Sequence, residues 1–89
     1  MQAKYLFAYQ IARFASDAGV TVPQACELHK LAARAFAAGE RECNTGKSAD
    51  RQRGKVAELA ESLGLKTSWP GLYPTFTRRD GEPLYMPTV

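Results

Sequence analysis

A change of character near Leu65 constrains the fold more than any other feature of this chain. Residues 1–64 are rich in alanine and spaced with helical periodicity. After them come Trp69-Pro70-Gly71-Leu72-Tyr73-Pro74-Thr75-Phe76, a turn at Asp80-Gly81, and Leu84-Tyr85-Met86. Helices followed by a short aromatic hairpin make an α+β fold, here a three-helix N-terminal bundle with a C-terminal antiparallel β-hairpin. At 89 residues the expectation is one domain spanning 1–89, with a single modest core and no deep enclosed cleft.

The spacing predicts helices over about 3–18, 22–43 and 49–63, and extended or hairpin structure over 65–87. In the first helix Phe7, Ile11, Phe14 and Ala18 recur at steps of three and four and form the buried stripe, and Gly19 closes it. Tyr5 and Tyr9 sit on another flank, which a neighbouring element or a partner must cover. Thr21 caps the second helix, with Gln24 completing a reciprocal capping pair and Pro23 tolerated in the first turn. Leu28, Leu31, Ala32, Ala35 and Phe36 form its apolar face, and Gly39 marks a close approach of another helix or a fraying point. Lys30, Arg34 and Arg41 share the opposite arc, with Glu27 nearby, and Asn44-Thr45-Gly46 ends the helix. Val56, Leu59, Ala60 and Leu63 face inward on the third helix. Leu63-Gly64-Leu65 has the form of a Schellman ending, with Leu65 folding back.

Asp80-Gly81 is a two-residue hairpin signal. That turn places Arg79 opposite Glu82, Thr77 opposite Leu84, and Phe76 opposite Tyr85 as an aromatic cross-strand pair. Pro70, Pro74, Pro83 and Pro87 cannot donate to a ladder, so the strands are short.

Composition narrows the function classes. Twelve basic against 9 acidic residues leave a net charge of +3, permissive of nucleic acid without the dense footprint of a dedicated duplex binder. Cys26 and Cys43 are too few for a disulfide framework. Gln10 and Arg13 interrupt the apolar stretch Tyr5–Phe14, which argues against a secretory leader, and no run reaches the roughly 20 apolar residues that span a bilayer. The expected setting is a reducing cytoplasm, with free thiols and no membrane contact.

The catalytic motifs fail on spacing. Thr45-Gly46-Lys47-Ser48 has the ending of a phosphate-binding loop, but the glycine required five positions before Gly46 is Arg41, and a helix rather than a strand precedes it. Ser48 is read instead as a helix cap. Cys26 and His29 can share a helix edge, yet Cys43 lies about 21 Å from His29 along a continuous helix at ~1.5 Å per residue, so no metal site is expected. His29 is the only imidazole, and no carboxylate pair is spaced to flank a substrate. The expectation is a non-enzymatic protein with no cofactor.

Two binding surfaces remain. Lys47, Arg51, Arg53 and Lys55 gather at the start of the third helix. With the helix–loop–helix–hairpin outline of a winged helix-turn-helix, they make a small DNA- or RNA-binding regulator an alternative reading. Acidic residues interleave with them, as on any solvated charged face. The segment Trp69–Phe76, rigidified by prolines, is either the lid of a small core or an interaction hot spot. The candidate partner-binding residues are Tyr5, Tyr9, Trp69, Tyr73, Arg78 and Arg79.

Cys26-x-x-His29 with Leu28 and Leu31, Glu42-Cys43-Asn44, Leu63-Gly64-Leu65, and Trp69-Pro70-Gly71-Leu72-Tyr73-Pro74 with a closing Leu84-Tyr85 carry a resemblance. The chain resembles small accessory proteins of temperate phages and prophages of proteobacteria. The resemblance implies a stoichiometric inhibitor, anti-CRISPR-like, that occludes a surface of a host or phage protein complex, as a monomer or homodimer. It implies no functional residue. The mildly basic charge departs from acidic inhibitors that mimic DNA.

Overall fold

Three helices and a small sheet pack in chain order, each element against the next, and the last strand returns to the first helix. This computed structural model describes residues 3–87, with side chains from Leu6 onward. Helix α1 (Ala3–Ala18) buries Ile11, Phe14 and Ala15, with Phe7 and Ala18 packed beside them. It ends in a Schellman motif: the Val20 N–H donates to the Ala15 carbonyl at 3.0 Å and Gly19 to Ser16 at 3.3 Å, with Gly19 at φ +72°.

Helix α2 (Val22–Thr45) begins with the reciprocal cap its sequence encodes. The Gln24 N–H donates to Thr21 Oγ1 at 3.2 Å, and the Thr21 N–H to Gln24 Oε1 at 2.9 Å. Its buried residues Ala25, Leu28, Ala32, Ala35, Ala38 and Gly39 are mostly small, which lets α1 and α3 (Asp50–Ser62) both approach its backbone. Gly39 is not a fraying point. A Cβ there would meet Leu72 Cδ2 at 3.0 Å, so the close neighbour is the loop after the third helix and not another helix.

The third helix starts one residue later than a Ser48 cap requires. Ala49 is the N-cap residue and is fully buried; Ser48 Oγ accepts the Asp50 N–H, and the Ala49 N–H is taken by Glu42 Oε2 from α2 at 2.7 Å. The far end follows its sequence signal. Leu65 donates to the Ala60 carbonyl across Gly64 (φ +78°) and enters the core at 6% exposure.

The sheet has three antiparallel strands, β1 (Lys66–Ser68), β2 (Thr75–Thr77) and β3 (Pro83–Leu84), in that order. The hairpin is joined by one more strand than the aromatic pattern alone indicates. Its register also differs by one residue from that of a two-residue Asp80-Gly81 turn: Phe76 faces Leu84, and Thr77 faces Pro83. The Gly81 N–H closes a turn onto the Arg78 carbonyl, and the Arg78 N–H donates to Glu82, each at 2.9 Å. The connection is therefore the three-residue loop Arg79-Asp80-Gly81, with Gly81 at φ +90° as the left-handed residue of a bulge. Asp80 Oδ1 fixes it by accepting the Glu82 N–H at 3.1 Å. A one-residue slip exchanges the faces of a strand. Leu84 therefore points into the core beside Phe76, and Tyr85, instead of pairing with Phe76, is 83% exposed. Phe76 meets Phe14 of α1 edge to face, ring centroids 6.1 Å apart.

Candidate functional site

Helix α1 and strand β3 leave a cleft of about 480 Å³ between them. Along α1, Leu6, Tyr9, Gln10 and Arg13 recur at helical steps beside the buried Phe7–Ile11–Phe14 stripe, so they line one wall. The other wall is Tyr85 with Met86, placed outward and inward by strand alternation once Leu84 is in the core. Tyr9 is 61% exposed and Leu6 46%. With Tyr85 they are three of the five large hydrophobic side chains that the described residues expose. Arg13 and Asp17 pair at 3.9 Å on the rim, both open to water.

The residues singled out in the sequence are distributed over separate places. Tyr9 lies in this cleft, and the Tyr5 side chain lies outside the described residues. Trp69 packs partly buried against the core, and Tyr73 stacks on Phe36 of α2 at 4.2 Å with the rings 14° from parallel. With Leu72 over Gly39, these contacts lay the Trp69–Pro74 loop against α2, and Pro74 at its end and Phe76 in β2 are buried. Arg78 pairs with Asp80 at 2.9 Å, and the Arg79 guanidinium lies over Gly64 at the end of α3. Leu6 escapes sequence reasoning. Tyr85 reads in the sequence as a cross-strand partner of Phe76 and, with Trp69 and Tyr73, as a stacking surface for nucleic acid; the signal that places it in this cleft is the reading of Asp-Gly as the end of a three-residue loop.

At the α2–α3 corner, Arg53 Nη2 donates to Glu42 Oε2 at 2.8 Å and to Asp50 Oδ1 at 2.9 Å. Glu42 also accepts the N–H of Ala49, the N-cap residue of α3, at a helix N-terminus that favours negative charge. The hydrogen bond from Arg53, and then that from the Ala49 amide, hold the Glu42 carboxyl below its ordinary value. Arg53, then the Ser48 hydroxyl, does the same for Asp50. Arg53 is thus a structural clamp and leaves the set of open cations. Lys47, Arg51 and Lys55 are exposed and make no ion pair among the described residues. Lys55 instead shares a shallow cleft of about 240 Å³ with Arg34 and Arg41 of α2.

The Thr45–Ser48 stretch makes no phosphate cradle: Thr45 Oγ1 accepts the Lys47 N–H and donates to the Arg41 carbonyl, which closes the helix end on itself. His29 sits edge to face with Phe7 at 4.8 Å, and Cys26 and Cys43 are exposed free thiols. Among the described residues no three His, Cys, Asp or Glu side chains converge to hold a metal ion. No helix of the described residues is long and apolar enough to cross a membrane. A scan against protein-family models and searches of curated proteins and of solved structures find no match to this chain.

Proposed function

We propose that this chain is a non-enzymatic binding protein, an accessory factor of the phage kind its sequence resembles, which occludes a surface of a host protein. One observation carries this reading: Leu6, Tyr9 and Tyr85 stand together in water at a cleft between α1 and β3. Exposing two tyrosines and a leucine side by side stabilises nothing in the free molecule, since apolar area in water is unfavourable by about 25 cal/mol per Å². Covered by a partner, the same side chains are the residue types that dominate interface energetics, with Arg13 at the rim. Leu6 and Tyr9 stand on a helix whose inner stripe is in the core, and Tyr85 directly follows the buried Leu84, so the backbone that carries them is held in place and the ordering cost of binding is low.

The test is a pull-down from a proteobacterial lysate with the wild-type chain and with Tyr9→Ala/Tyr85→Ala as baits. The wild type is expected to retain a protein that the double variant releases, with affinity for the purified partner reduced at least ~30-fold, about 2 kcal/mol. Equal thermal melts of the two baits establish that the loss is at the surface. Retention of the same partner by both baits removes this cleft from the binding surface.

A further inference from the structure

The second cleft, between α2 and α3, has a different chemistry. Its lining is Arg34, Arg41 and Lys55, with Gln52 between them and Leu31 and Ala37 as apolar floor. It holds three cations and no carboxylate, and none of the three is ion-paired among the described residues. Of the six acids on these two helices, Glu27 faces Lys30 and Glu42 and Asp50 are held by Arg53, while Glu40, Glu58 and Glu61 are exposed and lie outside the lining of the cleft. Like charges gathered in one cleft repel, and an anion drawn from solution relieves that repulsion. Arg51, one helical turn before Lys55, and Lys47, in the loop before α3, are also exposed and make no ion pair among the described residues.

We propose that this cleft binds the sugar-phosphate backbone of single-stranded nucleic acid. Three features choose that ligand. The arginines are seven positions apart on α2, about 10.5 Å along the axis, so their guanidiniums can reach separate phosphates of one backbone. Guanidinium forks engage phosphate oxygens two bonds at a time, and the Gln52 amide adds a further donor. At about 240 Å³ the cleft is smaller than the ~300–1,000 Å³ that encloses a small molecule, which suits a strand passing through. No aromatic side chain lines it, so bases have no stacking platform there and binding is indifferent to sequence. The cleft shares no lining residue with the α1–β3 cleft, so variants separate this proposal from the protein-binding one.

Fluorescence anisotropy with a labelled thymidine oligonucleotide of about 20 nucleotides tests it. Three phosphate contacts predict a log–log salt slope near −2, since single strands give about −0.7 per contact. Arg34→Gln/Arg41→Gln is expected to bind about tenfold or more weakly near 50 mM salt, with the slope falling to about −0.7. Lys55→Gln, placed on the other helix, should reduce the slope by a single contact, and Lys66→Gln, an equal charge change away from the cleft, should leave it unaltered. The proposal is overturned by no binding at low salt, by a double variant that binds like wild type, by tighter binding of a duplex of equal length, or by displacement with poly-glutamate at equal charge.

Discussion

Arg53 shows how one side chain can look like a ligand-binding cation and act as a fastener. Its guanidinium joins Glu42 near the end of α2 to Asp50 at the start of α3, while Glu42 also accepts the N–H of Ala49, the N-cap residue of α3. Both carboxyls are held below their ordinary values of 4.5 and 3.8. A depressed carboxyl contributes stability that is complete above its unfolded value and is lost as pH falls through the folded one. Urea midpoints should therefore drop as the wild type is acidified below about pH 4.5, and Glu42→Gln should have a shallower acid limb with a lower plateau at neutral pH. Parallel acid limbs in the two proteins would show that Glu42 contributes nothing to the pH dependence. The sequence placed Glu42 and Arg53 eleven positions apart on different helices, and no local rule links such a pair.

At the scale of elements, most helix ends were legible, because caps are set by contacts three to five residues apart; the start of α3 was not, because the Ala49 amide is taken by Glu42 of α2, seven positions away. Thr21 with Gln24 and Leu63-Gly64-Leu65 specify their geometry within one turn. The sheet was less legible for an equally physical reason. Asp-Gly fits a two-residue turn and also the end of a three-residue bulged loop, and Asp80 bonding to the Glu82 amide decides for the second. β1 is three residues long and lacks a buried side chain, so its pairing with β2 leaves no hydrophobic trace. The register makes a sharp stability prediction. Leu84→Ala should cost about 2–5 kcal/mol in urea unfolding, and Tyr85→Ala less than about 0.5 kcal/mol, because only Leu84 is buried. The reverse ranking would restore the two-residue turn. Gly39 belongs here as well: the helical pattern announced a close approach, but the loop bearing Leu72 comes from more than thirty positions downstream.

Taken whole, the molecule measures 37 × 33 × 20 Å, and its shortest dimension leaves room for one layer of side chains between helices and sheet. Phe14 and Phe76 meet in that layer, both about 1% exposed, and join the first helix to the central strand. A chain of this size has a stability of roughly 4–13 kcal/mol, and replacing a buried phenylalanine by alanine costs about 3–5 kcal/mol. Phe76→Ala is therefore expected to lower the thermal midpoint by at least 10 °C, read by far-UV circular dichroism. A shift of only a few degrees would place the centre of the core elsewhere. The return of β3 to α1 has a consequence for synthesis in the cell. Tyr9 leaves the ribosome before Tyr85, and neither alone makes a wall-to-wall groove. A molecule clipped between the two lacks one side of the groove, so both walls exist only once β3 has docked on α1.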